Sequence, residues 1–387
     1  MIPYSKQSIT NRDIEEVKKV LKSNYLTQGP YVSKFENVLK EKVSAKYCVA
    51  VNSATSALHL SCLALGLGKG DYLWTTSNTF VSSANCALFC GAKVDLIDID
   101  LKDYNISIPS LKRKLIKAKK NKKLPKIIIP VHFAGRPCNM KELYKLSKTF
   151  KFKIIEDASH ALGSKINGKN IGNCMYSDTC VFSFHPVKSI TTGEGGCITT
   201  NDKKISENLR RLRTHGINKE KKSFINKKSP PWFFEQISLG YNYRMNDLEA
   251  SLGFSQIKKL NTFIKKRNNV AKLYDKLLHK LPLIIPKRDK NIVNSYHLYP
   301  IRINTSNYEK VRFKLFNFLR KNRVNVNVHY IPIYLHPYYK KLGFKEKNYP
   351  NNNIFYKTEI SIPIYPTIKK KEILYVVSLI KKFFNEK

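Results

Sequence analysis

The sequence predicts an α/β fold: a mostly parallel, doubly wound sheet followed by a smaller C-terminal α/β unit. Three observations carry this. Short apolar runs rich in β-branched residues alternate with stretches of helical period between residues 47 and 157. Polar clusters stand at the C-terminal ends of those runs, where open α/β sheets bind ligands. After a long helical stretch from Asp247, the alternation resumes on a smaller scale beyond Pro286.

The elements follow in order. Residues 11–23 place Ile14, Val17, Val20 and Leu21 on one helical face, with Thr10 or Asn11 as N-cap and Asp13, Glu15 and Glu16 in the first turn. The stretch NYLTQGP breaks this helix, and a second over 32–43 leads into a strand over 47–51. At NSATS the strand gives way to a helix over 57–65, closed by Gly66 and Gly68. Strands over 71–75, 94–98, 127–131 and 153–155 then alternate with helices over 81–90, 108–119 and 140–150. The last of these strands ends on Glu156-Asp157.

The stretch TCVFSFHPVKSITTGEGGCITT, 179–200, begins as a buried strand over 180–184 and closes on a glycine turn before another β-rich run. From Asp247 one helical pattern runs to about Leu281 and bridges to the second unit. There the periodicity gives a strand over 297–303, a helix over 308–321, a strand over 324–330 and a helix over 371–384. The chain thus divides into an N-terminal segment at the mouth of the site (1–30), a large domain (31–250), and a linking helix with a small domain (251–387).

Composition narrows the function classes. The chain has 387 residues and is 42% hydrophobic, enough for a large core, yet it has no apolar run of the ~18 residues a membrane span needs. The N-terminus, MIPYSKQSITNRDIEE, lacks the apolar core of an export signal. The eight cysteines form no CxxC pair and sit largely in apolar runs, the usage of a reducing compartment, so the expected location is cytoplasmic.

A net charge of +42 invites a nucleic-acid reading. The lysines, however, concentrate in amphipathic or loop stretches such as 111–126 and 218–228, and no aromatic-interleaved basic motif, zinc-ligand spacing or helix-turn-helix pattern accompanies them. The expectation is a basic surface that attracts anionic small molecules, with no specific nucleic-acid partner.

Four features can be given jobs in one site. Ser53-Ala54-Thr55 at a helix start offers free N–H groups and hydroxyls to a phosphate, although a plain Ser/Thr cap has the same appearance. Asp157 ends an apolar strand, where a carboxylate needs a cation or several donors. A protonated ring nitrogen would serve, and so would a structural capping role. Phe80 follows a strand and suits either the face of a planar ring or the core. Lys188, between a strand and a glycine turn, is suited to Schiff-base chemistry if a dry pocket disfavours its charge. An exposed hairpin lysine would read the same way.

Their order, phosphate cradle, aromatic, acid, lysine, is more specific than any one of them. With LTQGP, NSATSALHL, NTFVSSANC, VHFAGRP, IIEDASHALGS, FSFHPVKSITTGEGG, LRTHGI and GYNYRMNDLEASLG, the chain resembles the DegT/DnrJ/EryC1/StrS family of sugar aminotransferases. HLYPIRI and VNVHYIPIY extend the resemblance into the small domain, so that it covers nearly the whole chain.

The resemblance implies the aspartate-aminotransferase-like fold (fold type I) and pyridoxal 5'-phosphate as cofactor. It implies Lys188 as the lysine that binds the cofactor covalently and Asp157 as the partner of the pyridine nitrogen. Ala54, Thr55 and Ser183 would hold the phosphate, Phe80 would cover the ring, and Asn242 would reach the phosphate from the partner subunit of a homodimer. His160, where many relatives carry Gln, would lie near the ring hydroxyl. Lys188 separates the chain from the family's dehydrating branch, which has His there.

The amino donor implied is L-glutamate, and the acceptor a keto-sugar carried on a nucleotide. The nearer resemblance is to the branch that aminates C4 of a UDP-linked 4-keto-6-deoxy-N-acetylhexosamine for pseudaminic acid. By it Tyr4, Asn24, Tyr25, Leu26 and Thr27 would line the sugar-nucleotide pocket, together with His329, Tyr330, Ile331, Pro332, Ile333 and Tyr334. Ala54, Ser183 and Asn242 would touch substrate as well as cofactor, and Arg244 or His329 would take the donor carboxylate. Core packing is the competing reading of the Tyr-rich segment. The chain departs from the pattern in its lysine content and in a Lys-rich insert after His215-Gly216. Two rivals stay open: an aminotransferase for another 3-keto or 4-keto sugar, and a basic nucleic-acid-associated protein that keeps the fold without activity.

Overall fold

Short runs of β-branched and small apolar residues form the central sheet of the computed structural model, which describes residues 1–218, 224–225 and 228–385. Its strands are β1 (Tyr47–Val51), β2 (Tyr72–Thr76), β3 (Lys93–Ile97), β4 (Ile127–Ile129), β5 (Lys153–Asp157), β6 (Thr179–Ser183) and β7 (Gly196–Thr200). They lie in the order β1-β7-β6-β5-β4-β2-β3. From β6 through β5, β4 and β2 to β3 every pairing is parallel, as the βα alternation predicts. β7 runs antiparallel to both β6 and β1. An antiparallel return needs no helical crossover, so the irregular segment 184–195 suffices to bring β7 back.

Both faces of the sheet are covered. Phe182, Cys180 and Cys197 pack one way, against Phe35, Leu39, Ile257 and Phe263. Val181, Ile198 and Ile155 pack the other way, against Leu58, Leu60 and Leu209. Burying each such side chain is worth about 1.5–3 kcal/mol, which fixes the register of the strand ends that carry the site.

The large unit's helices are α1 (Asn11–Leu21), α2 (Pro30–Val43), α3 (Ala54–Ala64), α4 (Ser82–Phe89), α5 (Ile108–Lys120), α6 (Met140–Phe150), α7 (Lys203–Arg213) and α8 (Asp247–Ile257). α3 starts three residues before the expected position, because Ser53 is its N-cap and accepts from Ser56 N at 3.1 Å. The single helical pattern expected over 247–281 is two helices, α8 and α9 (Leu260–Leu278). They part at Lys258-Lys259, where the Lys259 ammonium pairs with the buried Asp13 of α1.

The small unit holds an antiparallel sheet of β8 (Leu283–Ile284), β9 (Tyr299–Ile303) and β10 (Glu359–Ile362). It packs with α9, α10 (Tyr308–Lys321) and α13 (Lys370–Asn385) around Tyr274, Tyr299, Leu315 and Val376. The strand expected over 324–330 is reduced to two isolated bridges, Ile2 with Val324 and Asn327 with Ser361. Ile2 sits on its edge, with Ile2 N donating to Arg323 O and Asn325 N donating to Ile2 O, while Tyr4 O accepts from Ile364 N just past β10. The sequence reading also missed α11 (Pro337–Lys341), α12 (Pro350–Thr358) and β10.

The Lys-rich insert after Gly216 lies largely outside the described residues. All eight cysteines are free, and all but the half-buried Cys90 are buried. Among the described residues no helix is long and apolar enough to cross a membrane.

Candidate active site

A cavity of about 570 Å³ opens at the C-terminal ends of β5 and β6 and is closed on the far side by the small unit. α3 points its N-terminus into the cavity. The first N–H groups of a helix have no intrahelical acceptor. Here Ser56 N turns to Ser53 Oγ and Ala57 N to Ser53 O, which leaves the N–H groups of Ala54 and Thr55 at the cavity wall. Thr55 Oγ1 and Ser82 Oγ lie 2.9 Å apart on the same wall. β7 passes directly behind: a Cβ on Gly196 would lie 2.6 Å from Ala54 N and 2.7 Å from Ser53 O. Only glycine lets the strand support the helix start so closely. Free N–H groups, hydroxyls and the positive end of a helix make an anion cradle.

Asp157, at the end of β5, is buried and aimed into the cavity. Ser83 Oγ donates to its Oδ2 at 2.6 Å, and Ser159 N donates to Oδ1 at 3.1 Å. Ser83 gives its only proton to Asp157, so Thr79 Oγ1 is the donor in the 2.8 Å contact with Ser83 Oγ. The carboxylate is thus oriented and retains lone pairs for a cationic N–H.

Lys188 lies on the cavity wall, with Nζ 3.5 Å from His297 Nε2. Desolvation pushes its amine down to about 8, against the attraction of Asp157. His160 accepts Ala134 N–H at Nδ1 (3.3 Å), so the ring proton sits on Nε2 and is donated to Tyr330 Oη at 2.9 Å. Burial holds His160 and His297 well below the ordinary histidine value, and both are neutral. The Tyr330 hydroxyl keeps its own proton to donate. Phe80, 57% exposed, stands at the mouth with its ring 6.0 Å from that of Tyr330.

A family model described as the DegT/DnrJ/EryC1/StrS aminotransferase family matches residues 7–381. The chain belongs to this family. It is a transaminase, with the α/β fold of the family's solved structures. It is 40% identical over 377 residues to the UDP-4-amino-4,6-dideoxy-N-acetyl-beta-L-altrosamine transaminase of Campylobacter jejuni, over 97% of this chain and 96% of that one. Helicobacter pylori PseC, an aminotransferase involved in the biosynthesis of pseudoaminic acid, superposes with a TM-score of 0.90 at 30% identity over 100% of both chains. The PLP form of the sugar aminotransferase Spr1654 of Streptococcus pneumoniae gives 0.89 at 27% identity, over 100% of this chain and 99% of that one.

For a transaminase of this family the cavity gathers Lys188, Asp157, Ala54, Thr55, Phe80, His160 and Ser183 around one space, with Tyr4, His329 and Tyr330 on its far wall. It does not gather the other expected residues. Asn24, Tyr25, Leu26, Thr27 and Asn242 are exposed and do not line the cavity of their own chain. Ile331 is 51% exposed, whereas Pro332, Ile333 and Tyr334 are buried. Ile333 and Tyr334 pack on Ala84, Leu96 and Tyr349, with Tyr334 Oη donating to Asn353 Oδ1 at 2.5 Å. Core packing accounts for these two residues. Arg244 bridges to Val51 by its backbone and does not line the cavity. His329 does line it, but burial pushes it down to about 3, so it offers a hydrogen bond and no charge.

Sequence reasoning missed His297, Ser83 and Ser159. His297 carries no motif beyond HLYPIRI and reaches Lys188 only through tertiary packing. Ser159 was legible in principle: it stands two residues past Asp157, the spacing of an Asx turn, whereas Ser83 reaches Asp157 only through the fold. Gly196, at the close of the glycine turn, makes room for the start of α3.

Proposed function

We propose that the chain moves an amino group from L-glutamate to C4 of a UDP-linked 4-keto-6-deoxy-N-acetylhexosamine. The product is UDP-4-amino-4,6-dideoxy-N-acetyl-β-L-altrosamine. The observation that carries the reading is a lysine with a depressed pKa and a buried, oriented aspartate on one cavity with a free helix N-terminus. The Campylobacter jejuni relative at 40% identity supports the choice of sugar.

The residues fit pyridoxal 5'-phosphate. Ala54 and Thr55 N–H, with the Ser183 and Thr55 hydroxyls, suit its phosphate, Asp157 its ring nitrogen and Phe80 its ring face; His160 donates to Tyr330, whose hydroxyl keeps a proton for the ring's oxygen edge. When bound, the cofactor supplies an electron sink that stores the amino group between the two half-reactions. Asp157, held by Ser83 and Ser159, keeps a proton on the ring nitrogen. Lys188 Nζ, desolvated and held down to about 8, takes the proton from the substrate carbon and returns it, with no encounter with solvent base.

The small unit, with His329 and Tyr330, and the N-terminal segment, with Tyr4, roof the cavity and limit water access. Tyr4 is placed there because Ser5 Oγ donates to Val187 O at 3.2 Å while Ile2 pairs with Val324.

Asn242 and the 24–27 segment belong, in this reading, to the partner's cavity in a homodimer. Their exposure supports it, as do the bonds that hold the 24–31 segment to the start of α8, five residues past Asn242. Asp247 N donates to Leu26 O, and the Asp247 carboxylate accepts Gly29 N and Tyr31 N at 2.8 Å each.

The test is incubation of the purified protein with glutamate and a panel of nucleotide keto-sugars, with the product's configuration read by NMR. Amination at C4 of the UDP-linked sugar, at a rate above the others, is expected. Turnover of a different 3-keto or 4-keto sugar would move the assignment to that substrate, and no turnover of any would overturn it.

A further inference from the structure

Behind His329, away from the cavity, lies a carboxyl group for which the reaction above has no use. Glu359, the first residue of β10, is fully buried. Its hydrogen-bond partners are neutral. The His329 backbone N–H donates to Oε2 at 3.0 Å, and Ser361 Oγ lies 2.5 Å from Oε1. Ser361 Oγ in turn lies 2.9 Å from His329 Nδ1. The line runs carboxyl, hydroxyl, imidazole, and it leaves Nε2 as the ring nitrogen for the cavity that His329 lines.

Each group around Glu359 can be named. Arg312 on α10 attracts it from a distance. Arg302 on β9 pairs with it in register but spends Nε on Thr358 Oγ1 and covers the Tyr104 ring. Tyr104 and Tyr330 are neutral, burial having pushed both hydroxyls up. Burial likewise pushes the Glu359 carboxyl up to about 8.

We propose that Glu359 acts through Ser361 as a positioning residue that sets the proton on His329 Nε2, and so whether His329 offers the substrate a donor or an acceptor. The donor and acceptor count follows from the line itself. With Glu359 protonated, Oε2 is occupied by the backbone N–H, so the proton lies on Oε1 and is donated to Ser361 Oγ. The Ser361 hydroxyl then donates to His329 Nδ1, and the ring proton sits on Nε2 as a donor facing the cavity. With Glu359 ionised, Ser361 donates to Oε1, Nδ1–H donates to Ser361, and Nε2 presents a lone pair. One proton leaves through Nε2, the others shift along the line, and nothing is oxidised or reduced. The donor form suits an oxygen acceptor on the substrate, carboxylate or carbonyl. That last step rests on the proposed function; the relay does not.

The test separates the two. The full chain, labelled with 15N-histidine and kept free of cofactor, is followed by NMR, with the His329 ring assigned from its loss in His329→Gln. The wild-type ring should be protonated at Nε2 near neutral pH and invert to Nδ1 as pH rises through about 8. Glu359→Gln, whose amide can only donate to Ser361, should hold the Nε2–H form throughout, and Ser361→Ala should abolish the inversion. A wild-type ring that keeps one tautomer across this range, or a Glu359→Gln ring that still inverts, would overturn the relay.

Turnover is then measured separately with the amino donor and with the keto-sugar. The KM of whichever substrate meets Nε2 should rise about tenfold above pH 8 in the wild type and stay flat in Glu359→Gln. A flat KM for both substrates would overturn the binding role. No turnover at all would count against the proposed function and leave the ring result standing.

Discussion

Gly196 lies so close to the start of α3 that a Cβ on it would stand 2.6 Å from Ala54 N. The anion cradle is therefore shaped by a residue that contributes no atom to it. Gly196→Ala forces the Ser53-Ala54 peptide away from β7, at a cost of about 1–3 kcal/mol in stability. Affinity for pyridoxal 5'-phosphate should fall at least ~10-fold. Gly193→Ala is the control. Its φ of +85° adds left-handed strain of about 1–2 kcal/mol, but no atom within 4 Å meets the new Cβ, so cofactor affinity should hold. Absorbance titration of both apoproteins reads the difference, and equal losses would remove Gly196 from the cradle.

Lys188 gives a prediction with a sign. Its amine is depressed to about 8, so it is charged below that value and nucleophilic above it. Covalent capture of pyridoxal 5'-phosphate, trapped with borohydride and read by mass, should accelerate with pH and level off above about 8. An ordinary lysine would keep accelerating towards 10.5. Lys188→Met should lose the modified peptide that spans residue 188. It should also be more stable near neutral pH, by up to about 3 kcal/mol, because the wild type holds a desolvated ammonium there. That gain should shrink as pH rises from about 8 to 10.5, where the unfolded lysine still binds its proton and the folded one does not. A capture rate still climbing steadily beyond pH 10 would contradict the pocket's effect on this residue.

What could be read from the chain and what could not divide along a physical line. Sheet and helix positions were legible because period and β-branching are local; Asp157 and Lys188 were legible as candidates because ligands sit at the strand ends of a parallel sheet, and only the family resemblance gave them roles. The break between α8 and α9 was not legible. Lys258-Lys259 carries no glycine or proline, and the bend depends on Asp13, far away in sequence. The 329–334 segment illustrates the same limit. His329 and Tyr330 face the cavity while Ile333 and Tyr334 fill a core, and nothing in HYIPIY distinguishes them. Glu359 reads as a surface residue from its type alone, and only the packing of β10 against the His329 segment buries it.

The shared-site reading of Asn242 can be tested by complementation. Lys188→Ala and Asn242→Ala proteins, each inactive or weakened alone, are unfolded together and refolded as a mixture. If Asn242 serves the partner's cavity, each mixed dimer regains one wild-type site, and roughly a quarter of the wild-type activity should return on random pairing. If it serves its own cavity, the mixture should do no better than the average of the two preparations. Asn242 is exposed in the single chain, as the first outcome requires.

Glu359 ties stability to pH in the direction opposite to a salt-bridged carboxylate. Its folded value is raised from 4.5 to about 8, so the folded protein binds this proton more tightly than the unfolded chain. Between those two values the folded state holds a proton that the unfolded state has released, and stability falls as pH rises. Below 4.5 both states are protonated; above about 8 both are ionised, and the loss is complete at about 3–5 kcal/mol. Glu359→Gln keeps the shape and both hydrogen bonds but has no proton to lose. Its urea midpoint should match the wild type near pH 4.5, exceed it by a growing margin up to about pH 8, and hold a constant lead above. A lead independent of pH would mean that Glu359 is ionised in the fold at neutral pH, with His329 Nε2 facing the cavity as an acceptor.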